Sequence, residues 1–162
     1  MAVYLSVLRG INANEQKKIQ MTDLKRLYEE IGFKNVKTYI QSGNVIFESK
    51  TAVNLSQKIE QKIAEEYKFD VPVIIRTEKE LQQVITGNPF LKQKNIECDK
   101  LYVTFLSGTP SEENSIKTKA YNYAPDVFYL SDKEVYVYCP NGYGNTKLNN
   151  TFFENKLKVT AT

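Results

Sequence analysis

The octapeptide "VYLSVLRG" (Val3–Gly10) returns later in the chain as "LYVTFLSG" (Leu101–Gly108). The two align position by position: aliphatic, tyrosine, aliphatic, hydroxyl, apolar, leucine, polar, glycine. Each alternates in the manner of a half-buried strand that runs into a turn. In the first copy the alternation is expected to put Val3, Leu5 and Val7 against a core and Tyr4 and Ser6 on the opposite face.

The segments that follow the two octapeptides also share an order. After the first, "MTDLKRLYEEIG" spaces Met21, Leu24, Leu27, Tyr28 and Ile31 as a helix, with Gly32 as its C-cap. "VKTYIQ" and "VIFES" read as strands joined by "SGN", since glycine and asparagine accept the positive φ of tight turns. "VNLSQKIEQKIAEEYKF" places Leu55, Ile59, Ile63 and Tyr67 four apart on one helical face. "VPVIIR" is a further strand, and Pro72 near its start marks it as an edge. Thr77 and Glu80 have capping-box spacing, which starts another helix. After the second octapeptide come a helix ("SEENSIKTKAYNY"), strands ("DVFYLS", "VYVYCP") and a helix from Lys147 to Leu157.

This recurrence predicts an α+β fold built by duplication from two ferredoxin-like βαββα subdomains, with antiparallel sheets and helices on one face. The expected division is 1–90, including a linking helix, and 91–162, the latter with its C-terminal part cut short.

Composition narrows the function. The chain has 162 residues, 41% hydrophobic and 25% charged, as ordinary globular domains do. Twenty-two basic against 19 acidic residues leave a net charge of +3, too slight a surplus for a nucleic-acid footprint. The N-terminal run reads as a buried strand rather than a signal peptide, no stretch has the length of a membrane span, and a cytoplasmic location is expected. Cys98 and Cys139 lack CxxC spacing and are expected to be reduced, buried thiols. Histidine is absent, which removes Ser-His-Asp and Cys-His catalysis and His-ligated metals. Nothing names a cofactor, and the oligomeric state stays open.

The topology then selects a site. If the first strand runs up, the second also runs up and the third runs down, so the loop after the first strand and the turn between the second and third emerge at one edge. "LRGIN" and "QSGN" should meet there. Arg9 offers a planar cationic fork, and Asn12 and Asn44 offer amides. Gly10 and Gly43 let backbone N–H groups approach a ligand. With Gln41 and Ser42, and with charge from Lys17 and Lys18, the set suits a small anionic ligand such as a nucleotide or phosphometabolite. The competing reading has these groups bonding to one another and tying loop to turn.

A secondary candidate is "PNGYGNTKL" (140–148), whose Gly142, Gly144, Thr146 and Lys147 echo phosphate loops at a helix start, without Walker spacing. There the simpler reading makes Asn145 or Thr146 an N-cap. Alternatives of other classes are an enzyme at the Arg9 edge, with Asp23 and Glu48 as carboxylates near in sequence, and an RNA- or protein-binding module. The module would use a face shared by Tyr4, Tyr102, Tyr136 and Tyr138, but the favoured reading has the two sheets meet through these aromatics, since two small repeats need a shared core.

On "LRGIN", "YIQSGNVIF" (Tyr39–Phe47) and "PNGYGNTKL", the chain resembles the bacterial domain-of-unknown-function family 1697 over nearly its whole length. The resemblance implies an α/β fold with ferredoxin-like subdomains and no particular activity. It carries the family's motif positions onto Arg9, Gly10, Asn12, Gln41, Ser42, Gly43, Asn44, Gly142, Gly144 and Lys147. Relatives often have paired glycines where this chain has Ala13 and Asn14, and they continue beyond "KVTAT" with a run that contains tryptophan.

Overall fold

A computed structural model describes residues 1–12, 17–39 and 43–162. The chain divides into units Met1–Gln83 and Val84–Thr162. In the first, β1 (Ala2–Leu8), α1 (Met21–Ile31), β2 (Lys34–Tyr39), β3 (Asn44–Ser49), α2 (Leu55–Tyr67) and β4 (Val73–Thr77) follow in order. The strands form an antiparallel sheet ordered β2-β3-β1-β4. β4 is an edge, as Pro72 before it foretells. α1 ends at Gly32, whose φ of 109° permits its N–H to reach the Glu29 carbonyl while the Phe33 N–H reaches Tyr28.

The inward face of β1 is the reverse of the one expected. Tyr4 and Leu8 join Leu24, Leu27 and Tyr28 of α1 and Ile59 and Ile63 of α2 in the core, with Ser6 fully buried between them. Both faces of β1 are apolar enough for either assignment, so alternation alone does not choose. The hydroxyls do. Ser6 Oγ and Tyr28 Oη lie 2.6 Å apart, and Ser6 also donates to the Val45 carbonyl at 3.3 Å, which satisfies polar atoms that burial would otherwise penalise.

Burial pushes the Tyr28 hydroxyl well above its ordinary value, against a smaller lowering by the Ser6 bond. A raised folded pKa contributes stability that is complete below the unfolded value, near 10, and is lost as pH rises through the folded one. In urea titrations above about pH 10, stability should therefore fall less steeply in Tyr28→Phe than in the wild type. Parallel slopes would contradict this.

α3 (Glu78–Thr86) opens with the expected capping box: the Thr77 N–H donates to Glu80 Oε1 and the Glu80 N–H to Thr77 Oγ1, both at 3.1 Å. The second unit contains β5 (Leu101–Phe105), α4 (Glu112–Lys119), β6 (Val127–Ser131), β7 (Glu134–Tyr138) and α5 (Asn150–Leu157). Its antiparallel sheet is ordered β5-β7-β6. Ala161 bridges to Leu106, and Phe105 and Thr162 exchange backbone hydrogen bonds of 2.7 and 2.9 Å, so the tail runs along β5.

Helices on one face do not describe this second sheet. Val135 and Val137 pack with Phe153 and Leu157 of α5, while Tyr136 packs with Val84 and Phe90 on the other side. Tyr136 Oη donates to the Val84 carbonyl at 2.9 Å.

The tyrosines accordingly do not share a platform. Tyr4 stacks on Phe47 within the first core. Tyr102, opposite Val137, packs on the α5 side, whereas Tyr138 packs with Phe90. Cys139 is buried, and burial pushes its thiol up; Cys98 is exposed, contrary to expectation, on a short turn before β5. Among the described residues no helix is long and apolar enough to cross a membrane.

Candidate functional site

β1 and β3 pair with Val7 opposite Asn44, which fixes where the first strand's end meets the third strand's start. One step further, the Leu8 N–H donates to the Gly43 carbonyl at 3.2 Å and the Arg9 N–H to the Pro72 carbonyl at 3.0 Å. Leu8 and Arg9 thus lie between Gly43 on one side and Pro72, which leads into β4, on the other. Gly43 adopts a φ of +79°, and a Cβ there would come within 3.1 Å of the Ile11 side chain and 3.2 Å of Leu8 Cβ. Gly10, at φ +77°, has no atom of the described residues within 4 Å of its missing Cβ. The end of β1, followed by Arg9 and Gly10, therefore runs beside Gly43 and Asn44. Gln41 and Ser42, like Ala13 and Asn14, lie outside the described residues.

Asn12 has a structural task instead of an open amide. Its Nδ2 donates to the Ile19 carbonyl and its Oδ1 accepts the Ile19 N–H, both at 2.9 Å, while its own N–H reaches the Lys17 carbonyl at 3.1 Å. Its φ of 56° is one that asparagine tolerates better than most residues. For this residue the loop-tying reading holds. Asn12→Ala should cost about 1–3 kcal/mol in urea unfolding and speed amide exchange at Ile19. Unchanged exchange there would refute the assignment. Lys17 Nζ donates to the Asp70 carbonyl at 2.7 Å, a neutral acceptor that leaves the ammonium charge uncancelled by that contact.

Two carboxylates near in sequence, Glu48 and Asp23, have other places. Glu48 lies toward the far end of β3 from Asn44 and accepts from Asn35 Nδ2 at 2.6 Å. Asp23 sits in the first turn of α1 beside Tyr67, whose hydroxyl is pushed up by burial and then by the Asp23 charge. Pro72, Ile19 and Asp70, which hold the loop, carry no sequence signal, because each acts through a backbone group.

The "PNGYGNTKL" loop is not the start of a helix. A single 3-10 turn covers Tyr143–Asn145, Thr146 is extended, and α5 begins only at Asn150, capped by Asn149 rather than by Asn145 or Thr146. Asn149 Oδ1 accepts the Phe152 N–H at 2.9 Å. Gly142 takes a φ of 92°, Gly144 is not in the left-handed region, and a Cβ at either would meet no atom of the described residues within 4 Å. Thr146 Oγ1 donates to Asp126 Oδ2 at 2.7 Å and accepts the Leu148 N–H at 3.0 Å. Lys147 Nζ stands 5.6 Å from the centre of the Tyr123 ring. A helix-terminal phosphate cradle is therefore not formed here.

The class that these observations define is an α+β chain with a four-stranded and a three-stranded antiparallel sheet. The chain belongs to the family described as "Protein of unknown function (DUF1697)", which matches residues 1–136 and so includes "LRGIN" and "YIQSGNVIF" but stops short of "PNGYGNTKL". None of the curated proteins matches the chain significantly. Among solved structures it is similar to the conserved bacterial protein SP0830 from Streptococcus pneumoniae, at 20% identity and a TM-score of 0.72, over 99% of this chain and 92% of that one. At that identity the likeness concerns the fold.

Proposed function

We propose that the chain binds a small anionic ligand, of the nucleotide or phosphometabolite kind, where the Arg9 loop meets the Gly43–Asn44 turn. One observation carries this reading: the Leu8–Gly43 hydrogen bond and the packing of Gly43 on Ile11, which set the two turns side by side. Arg9 is the cationic fork, and Gly10 leaves room for a phosphate to approach the backbone. Lys17 and Lys18 raise the local positive potential. Asn12 is the brace that holds the loop in shape. We also infer that the two units are ferredoxin-like copies of one plan. Supporting this, β5-β7-β6 repeats the β1-β3-β2 order, and the 160–162 tail lies beside β5 as β4 lies beside β1.

Thermal unfolding with AMP, ATP and inorganic phosphate tests the site. A ligand present at a hundred times its Kd should raise Tm by roughly 5–10 °C. Arg9→Ala should abolish that rise while leaving the ligand-free Tm within a few degrees. An equal rise in the variant would place the anion elsewhere.

A further inference from the structure

The second unit has a cleft of about 580 Å³ between the 122–126 turn and the 141–147 loop. That volume is within the range of small-molecule sites, about 300–1,000 Å³. Asn122, Asp126, Asn141, Asn145 and Lys147 line it, and Tyr123, Ala124 and Pro125 give it an apolar wall. The walls are held in place. Thr146 crosses from the loop to bond Asp126 at 2.7 Å, and Asn145 Nδ2 donates to the Asn141 carbonyl at 3.2 Å. Asn122 Oδ1 accepts the Ala124 N–H at 3.0 Å. The Tyr123 ring meets Phe152 edge-on, centres 5.6 Å apart.

Its polar groups select a chemistry. Three carboxamides each offer donors and an acceptor, one carboxylate accepts and one ammonium donates. Asp126 and Lys147 cancel in formal charge, so the cleft does not favour a phosphate over a neutral molecule. Hydroxyl groups also donate and accept, and a ring of them has apolar C–H faces that suit a wall such as Tyr123, Ala124 and Pro125.

We propose that this cleft binds a neutral polyhydroxylated ring, a sugar. It belongs to the second unit and does not depend on the anion site proposed for the first.

Saturation-transfer NMR on the full chain, with D-glucose, N-acetylglucosamine, D-ribose and inorganic phosphate as probes, tests the proposal. At least one sugar should receive saturation, with a Kd in the millimolar range or below. Asn145→Ala and Lys147→Ala, both at exposed positions, should each weaken that Kd by roughly ten-fold, while Arg9→Ala should leave it unchanged. Transfer to no sugar would overturn the proposal, as would sugar binding that persists unaltered in both variants. So would inorganic phosphate displacing the sugar.

Discussion

Phe47→Ala is expected to destabilise the protein by about 3–5 kcal/mol, a large part of the stability of an ordinary domain. The side chain is fully buried on β3, and its ring lies 4.4 Å from Phe33, 5.4 Å from Tyr28 and 5.7 Å from Tyr4, centre to centre. Those rings come from β1, from α1 and from the residue after its C-cap. Removing Phe47 therefore leaves a void where sheet and helix join, one that the fused surroundings cannot easily collapse to fill. Ile46, the neighbour on the other face of the strand, is 46% exposed, and Ile46→Ala should cost less than about 1 kcal/mol. Urea unfolding of the pair measures the difference directly. Similar losses would mean that β3 does not face the core as described.

Gly43→Ala should lower stability by about 2–4 kcal/mol, as the sum of two effects. A φ of +79° is strained for any residue with a Cβ, by about 1–2 kcal/mol. In addition, the new methyl group would press on Ile11 and Leu8 at 3.1–3.2 Å, tighter than ordinary contact. Gly10→Ala separates the two, because its φ of +77° carries the same strain and, among the described residues, no atom lies within 4 Å of the added carbon. The excess cost at Gly43 over Gly10 measures how closely the turn is packed on the loop. If the two substitutions cost the same, the close approach of turn and loop is wrong.

Much of this architecture is legible where the signal is local. The Gly32 C-cap, the Thr77–Glu80 box, the four-residue rhythm of α2 and the edge marked by Pro72 each depend on neighbours in sequence, and each is found where it is read. The meeting of the end of β1 with Gly43 and Asn44 is also legible, because it follows from chain direction alone. The facing of β1 is not. Val3, Leu5 and Val7 look like a core face, and only the distant Tyr28 hydroxyl explains why Ser6 belongs inside. In sequence Asn12 reads as an amide offered to a ligand, but its partner is the backbone of Ile19, seven residues on, which no pattern marks. The start of α5 is misplaced for a related reason: Thr146 looks like a cap, yet its hydroxyl is engaged by Asp126, twenty residues earlier in sequence, and Asn149 takes the capping role.

In the function proposed above, two turns far apart in sequence form one anion-binding rim in the first unit. Titration of ¹⁵N-labelled protein with ATP and with inorganic phosphate, followed by amide shifts, tests it most directly. The largest saturable shifts are predicted at Arg9, Gly10, Gly43 and Asn44, and they should vanish in Arg9→Ala. If these four amides stay still at saturating concentrations of both probes, or if shifts gather at other residues, the rim does not bind the ligand and the claim fails.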